Sequence, residues 1–436
     1  MTTSFIDSGH ILHRLREMFG EDHIQLLSGN HFRIANEDTR VVAFPSNIGE
    51  LSEMLRFASS ENWRVIPAGA GTWLEMGNRP SGQHLIISTS RMNRVLEYEP
   101  ADLTATVEAG CTLTDFNKLA TEHRQFIPLD PFGDENSTIG GIIATASSGP
   151  LRCAYGTPRD WLIGIRVVHA DGTITKAGGK VVKNVAGYDL CKLYTGSFGT
   201  LAVIAEMSFK LRSLPSSDKT VLFNSDDLNA LCSLVSQISD SDVQPASCEM
   251  LSPGNRALPA EDAQYTLSLR FLDEAEAVNS QIDQASSLGS NFRMTRLSDD
   301  EALRFQRNYR ESETDAQWDF SFRLSVLPSD LNVILNDLKA LLPQARWRAH
   351  AANGVIRAHA EAEWLEGLKT AAIIAELRRR AQSRGGHLVI VRATDEVREQ
   401  LGVWGEAGAT ANLMQMLKEK FDPNRQLNPG RFVAGI

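Results

Sequence analysis

The chain has 436 residues, 42% of them hydrophobic and 22% charged, and a formal net charge of −10. That length exceeds one ordinary core and predicts two or three domains of ordinary globular composition. The negative charge excludes a general nucleic-acid binder, which needs a concentrated basic face, and no apolar run is long enough to predict a transmembrane helix.

The N-terminal stretch MTTSFIDSGHILHRLREMF lacks a basic start followed by an apolar core, so no secretory signal is expected. Five cysteines, Cys111, Cys153, Cys191, Cys232 and Cys248, are scattered without a Cys-x-x-Cys pair. This fits a reducing, cytoplasmic setting and offers no thiolate set for an iron–sulfur cluster. Electrons collected by such a chain leave through oxygen, a soluble carrier or another polypeptide.

In chain order, Val41–Phe44 reads as a strand and Pro45–Ser59 as a helix with Ser46 as N-cap. Trp63–Ile66 is the next strand, followed at once by a glycine-rich turn. Short strands are predicted at Leu85–Ile87, Thr104–Val107, Leu162–Val168 and Leu201–Ile204. Near Leu214-Pro215-Ser216-Ser217 the glycine motifs stop. Beyond them apolar strands (Tyr265–Phe271, Phe320–Val326) alternate with amphipathic helices (Leu331–Leu342, Leu365–Ala381), which predicts a separate α+β lobe with an antiparallel sheet. A last helix begins at Leu413 and leads into Phe421-Asp422-Pro423-Asn424.

Three stretches are dense in glycine. The turn Pro67-Ala68-Gly69-Ala70-Gly71-Thr72 follows a strand directly, and its small residues let several N–H groups converge on a pyrophosphate. It is neither a Walker A loop nor a GxGxxG fingerprint, and alone it suits a plain turn equally. The second stretch spans Thr138, Gly140, Gly141, Ser147 and Gly149. The third runs from Gly178 through Lys183, Asn184, Gly187 and Tyr188 to Gly196, Ser197, Gly199 and Leu201. Glycine spread over so much chain implies a long ligand lying against backbone at several places.

The run Val182-Lys183-Asn184-Val185-Ala186-Gly187-Tyr188-Asp189, leading into Gly196-Ser197-Phe198-Gly199-Thr200-Leu201, resembles the flavin-contacting stretch of FAD-linked oxidases of the vanillyl-alcohol-oxidase class. Within that class the likeness is to the E-type FAD-binding subunit of bacterial glycolate oxidase (glycolate dehydrogenase). The ending Lys418-Glu419-Lys420-Phe421-Asp422-Pro423 with Asn428-Pro429-Gly430-Arg431 is similar too. The resemblance implies an α+β fold with a two-lobed PCMH-type FAD-binding domain over 1–214 (core about 36–214). An antiparallel α+β cap over 215–400 and a C-terminal segment, 401–436, packing back on the FAD domain complete it. By the same resemblance Ala68 to Thr72 hold the pyrophosphate, and Thr138, Gly140, Gly141, Ser147 and Gly149 line the ribityl and diphosphate path. Gly196, Ser197, Gly199 and Ile204 lie against the rest of the cofactor. Asn184 and Tyr188 suit flavin contact or local hydrogen bonding equally. Covalent members carry a histidine beside the glycine loop; here the nearest downstream is His84, so the FAD is expected to be non-covalent.

In the cap, His350-Ala351-Ala352-Asn353-Gly354-Val355-Ile356-Arg357-Ala358-His359 loosely resembles the segment with which related 2-hydroxyacid dehydrogenases bind a divalent metal. Arg357 stands where the second histidine is expected, His359 comes later, and Trp404-Gly405-Glu406-Ala407-Gly408 replaces a Glu-His pair. No metal is therefore expected. His350 and His359 are candidate bases, and Arg357 a metal-free grip on a carboxylate; a solvated strand face is the competing reading. The resemblance implies oxidation of short 2-hydroxy acids such as glycolate or D-lactate, beside a sister FAD subunit and an iron–sulfur subunit, with indirect attachment to the inner face of the membrane. A self-sufficient 2-hydroxyacid, sugar or alditol oxidoreductase is the alternative.

Overall fold

The computed structural model describes residues 8–28, 32, 34, 39–80, 84–179, 188–255, 257–258, 264–311, 320–361 and 367–436. Its first four-stranded sheet runs in the order Ile24–Ser28, Thr39–Ala43, His84–Ser88, Arg64–Ala68. The last three are parallel to one another, as befits strands joined by a crossover such as helix Ile48–Ser60, while the first pairs antiparallel with the second. That helix starts one residue later than a Ser46 cap requires. Asn47 is the cap, its side chain accepting from Glu50 N–H at 3.0 Å. Ser46 instead donates its backbone N–H to the Glu50 carboxylate at 2.8 Å, so the two residues complete a reciprocal cap.

A second, five-stranded antiparallel sheet follows in the order Val95–Glu99, Thr104–Glu108, Val203–Lys210, Leu162–Val168, Ile174–Gly178. Its central strand begins at Val203 rather than Leu201, because the preceding residues close a tight turn in which Thr200 Oγ1 donates to Ser197 O at 2.7 Å. Apolar side chains from both sheets form the cores beneath helices Ile48–Ser60, Leu113–Thr121 and Ile139–Thr145.

The third sheet has eight antiparallel strands: Arg293–Arg296, Ser217–Ser225, Tyr265–Asp273, Ser247–Leu251, Arg346–His350, Val355–Ala360, Phe320–Ser325 and His387–Arg392. Period-two alternation divides its two faces. One face carries Phe223, Leu269, Met250, Trp347, Ile356 and Phe322, packed under helices Leu228–Ser239, Ala275–Leu288, Leu331–Leu341 and Gly367–Gln382. The other carries Thr220, Ser268, Glu249, Arg348, Arg357 and Arg323 and faces the first lobe. The predicted strands and helices of this region are present with end shifts of one or two residues.

The chain end returns to the first lobe. Leu427 pairs with Val65 in a parallel bridge, and helix Ala411–Phe421 buries Lys418 completely. Arginines tie the lobes together through backbone carbonyls. Arg398 donates to Gly77 O at 2.8 Å and Glu75 O at 3.2 Å, while buried Arg431 donates to Leu74 O and, at 2.7 Å, to Met76 O. Such buried guanidiniums are satisfied by several acceptors at once, which lets them clamp loops that have no ladder of their own.

Candidate active site

A cleft of about 710 Å³ lies between the first two sheets. It brings together Pro67, Ala68, Gly69, Ala70, Gly71 and Thr72 with Thr138, Gly140, Gly141, Gly199 and Ile204. Two residues of the C-terminal segment, Asn428 and Arg431, complete its wall. The turn after strand Arg64–Ala68 is shaped for a phosphate: among the described residues the N–H groups of Ala70, Gly71 and Thr72 donate to no backbone carbonyl. Thr138 caps helix Ile139–Thr145 through Gly141 N–H at 3.2 Å and presses against Gly69, where a Cβ would stand only 2.0 Å from its hydroxyl. No histidine or cysteine is among the described lining residues.

The remaining sequence candidates lie elsewhere. Ser147 lines the neighbouring pocket between the lobes. Gly149 is buried against Asp130, whose carbonyl would meet a Cβ at 1.9 Å, so its smallness serves packing. Gly196 donates its N–H to Ile143 O at 2.9 Å, and Ser197 is buried beside it. Tyr188 is 94% exposed. Lys183, Asn184 and Gly187 fall outside the described residues.

The pocket beside the cleft is walled by Thr72, Trp73, Thr145 and Ser147 from the first lobe and by Ser321, Arg323, Arg357 and Arg392 from the cap sheet. Here His350 and His359 occupy different strands of a hairpin rather than one strand, with Ala351–Asn353 and Gly354 forming the turn. They still share a face, because Arg346–His359, Arg348–Arg357 and His350–Val355 are direct cross-strand partners. That face is not solvated: His350 is 2%, Arg357 9% and His359 6% exposed. Arg323, Arg357 and Arg348 stand side by side on three adjacent strands.

Of the three catalytic candidates, Arg357 lines the pocket, and neither histidine is among its described lining residues. Burial and the Arg348, Arg357 and Arg392 charges hold His359 well below the usual histidine range, so it is neutral at physiological pH. His350 points Nδ1 at the Glu249 carboxyl, 2.8 Å and 2.9 Å from its two oxygens. The Tyr309 hydroxyl donates to the same carboxyl. Phe132, from the first lobe, stacks on His350 with ring centroids 5.6 Å apart and lies 4.4 Å and 4.2 Å from the Arg348 and Arg357 guanidiniums.

Glu249 also lines a second cavity between the lobes, together with Asp130, Thr220, Ser268 and Tyr309. Burial pushes the Glu249 carboxyl up to about 8 and that of Asp130 up to about 7. Each therefore favours the fold most fully below the ordinary carboxylate range, and that contribution is lost progressively as pH rises from there to about 7 for Asp130 and about 8 for Glu249. Among the described residues no three His, Cys, Asp or Glu side chains are grouped to hold a metal. Nor is any described helix long and apolar enough to cross a membrane.

Sequence reasoning missed Glu249, Tyr309, Phe132, Arg323 and Arg348. A signal for two of them was present: Arg346-Trp347-Arg348-Ala349-His350 alternates cationic and apolar residues at strand period, and Glu249 is the one charge in Ser247–Leu251. Phe132 carried none, since only docking of the lobes gives it a role.

Comparison with known proteins agrees with this geometry. Residues 39–178 match the FAD binding domain model, and residues 398–432 match the model of the FAD linked oxidases' C-terminal domain. The glycolate oxidase subunit GlcD of Bacillus subtilis is 38% identical over 210 residues, 48% of this chain and 45% of that protein. A D-lactate dehydrogenase of Archaeoglobus fulgidus is 39% identical over 171 residues, 39% of this chain and 38% of that protein. The matches thus cover less than half the length of these relatives. A D-2-hydroxyglutarate dehydrogenase of Stutzerimonas stutzeri is 22% identical over 90% of both chains. The solved structure of p-cresol methylhydroxylase with substrate bound shares the fold at TM-score 0.77 and 14% identity, covering 100% of this chain and 98% of that one. This chain thus carries the FAD binding domain and the C-terminal domain of the FAD linked oxidases, on the fold it shares with p-cresol methylhydroxylase.

Proposed function

We propose that the chain oxidises short 2-hydroxy acids, such as glycolate or D-lactate, to 2-oxo acids. In this reading it is the FAD-binding subunit of a glycolate oxidase-like assembly that hands electrons to an iron–sulfur partner. The observation that supports the substrate class is the lining of the inter-lobe pocket by Arg323, Arg357 and Arg392, guanidiniums of the kind that pair with a carboxylate. Bound FAD would supply an acceptor for the hydride, with its two electrons, released from the substrate carbon as the hydroxyl gives up its proton. The Ala70–Thr72 N–H groups hold its pyrophosphate, and Arg357 orients the substrate carboxylate. Trp73 and Phe132 keep water from the pocket. The names of the relatives, a glycolate oxidase subunit and a D-lactate dehydrogenase, support the same class. The widely spaced free cysteines support transfer to a partner. A self-sufficient dehydrogenase is the second reading, favoured by the completeness of the arginine pocket within this one chain.

The test is an absorption spectrum of the purified chain before and after anaerobic addition of glycolate or D-lactate. Acid-released flavin bands that bleach on substrate are the result expected of a chain active alone. Bands that bleach only after a partner is added support the subunit reading, and absence of bleaching under both conditions overturns the substrate class. The loop assignment has its own test. Gly71 has φ of 92°, and a Cβ there would sit 3.2 Å from the Phe32 ring. Gly71→Val is expected to lose FAD on desalting while circular dichroism shows a folded chain; full flavin occupancy would place the pyrophosphate elsewhere.

A further inference from the structure

Glu249 closes a ring of contacts behind the arginine pocket. Its carboxyl holds His350 Nδ1 at 2.8 Å and accepts from the Tyr309 hydroxyl. Arg348 donates to Tyr309 O, and its guanidinium lies 4.7 Å from the Tyr309 ring centroid and 4.4 Å from that of Phe132. Phe132 in turn stacks on His350 and meets Arg357 at 4.2 Å. The circuit reaches the proposed substrate pocket through Phe132 and Arg357 and the second inter-lobe cavity through Glu249 and Tyr309. Although Glu249 is only 2% exposed, that cavity gives its carboxyl a way to exchange a proton.

We propose that Glu249 is a positioning residue for the carboxylate pocket, setting Arg357's grip through Tyr309, His350 and Phe132, with proton exchange through the inter-lobe cavity tuning that grip. The inference rests on the reading that Arg357 binds the substrate carboxylate. The groups facing Glu249 are His350, Tyr309, Arg348, Arg152 and Arg357, with Asp130 across the cavity. Below pH 8 the carboxyl is mainly neutral and draws little on Arg348 and Arg357. Above it, a buried negative charge beside Arg348 and Arg357 competes with the substrate for the same guanidiniums. Glutamine reproduces the neutral acid, since its amide accepts from Tyr309 and donates to His350. Leucine fills the space without either bond.

The experiment measures oxalate affinity of the full, FAD-loaded chain from perturbation of the flavin spectrum, between pH 6.5 and 9.5. Oxalate carries the carboxylate but no C–H to oxidise. In wild type its Kd is expected to rise about tenfold as Glu249 ionises. In Glu249→Gln it should stay low and flat across this range, and in Glu249→Leu be weakened at every pH. A Glu249→Gln variant that keeps the wild-type pH dependence overturns the proposal, as does a Glu249→Leu variant with unchanged affinity. A second readout requires no ligand: the imidazole ¹⁵N shifts of His350, identified by loss in His350→Gln, should step near pH 8 in wild type and not in Glu249→Gln. Their invariance in wild type also overturns it. Failure of oxalate to bind any form while that step persists instead identifies the carboxylate reading as the error.

Discussion

Arg357→Ala is expected to lower kcat/KM for a 2-hydroxy acid by roughly 30- to 150-fold, the equivalent of about 2–3 kcal/mol for a lost hydrogen-bonded ion pair. FAD content should not change, because Arg357 lines the inter-lobe pocket and not the cleft holding the glycine turn. The fold should survive as well, since Phe132 keeps its second cation, Arg348, at 4.4 Å. Most of the loss should appear as raised KM if the carboxylate is held equally in ground and transition states. Arg357→Lys should recover only part of it, because an ammonium cannot reproduce the planar fork. Steady-state kinetics with an artificial electron acceptor measures this directly. Unchanged kcat/KM would move substrate binding away from the arginine row.

Lys418→Met is expected to destabilise the chain by about 3–5 kcal/mol, the usual cost of leaving one member of a buried ion pair alone. The Lys418 ammonium is fully buried and donates to Thr200 O at 2.7 Å, Asp422 Oδ2 at 2.7 Å and Leu427 O at 2.8 Å. Asp422 also accepts from the Gln426 and Leu427 N–H groups, at 3.0 Å and 2.7 Å. Without the ammonium, a carboxylate and two carbonyls remain in a site water does not reach. The damage should extend to the cofactor, because Leu427 bridges to Val65 just before the glycine turn and Asn428 lines the cleft. Differential scanning calorimetry of the FAD-loaded and stripped chains checks both effects. A loss confined to the stripped form would mean that FAD itself holds the C-terminal segment in place.

Both predictions concern residues whose chemistry was only partly legible in the sequence. Arg357 was expected as a carboxylate grip because the resemblance places a metal ligand near it, whereas its row with Arg323 and Arg348 depends on the register of three strands. Lys418 and Asp422 were visible as a familiar ending, but their spacing does not announce a fully buried pair. The helix cap went to Asn47 rather than Ser46 because both are good caps and the backbone selects between neighbours. Candidate bases His350 and His359, with a solvated strand face as the competing reading, prove to share a buried face through hairpin pairing. Their burial, and the neutral state of His359 among three arginines, follows from the lobe packed over them.

By itself the sequence determined the class of fold and the cofactor. Glycine-rich turns after strands, the runs at 138–149 and 196–201, and the Asn428-Pro429-Gly430-Arg431 ending are local patterns, and backbone that must approach a phosphate closely leaves such marks on neighbouring residues. Tertiary structure alone decided what surrounds the arginine-lined pocket between the lobes. Phe132, Glu249, Tyr309 and Arg357 are far apart in the chain and belong to two lobes. Their contacts exist only because the polar face of an eight-stranded sheet docks on the FAD-binding lobe. Strand register and inter-lobe packing are long-range properties, and no short window of residues encodes them.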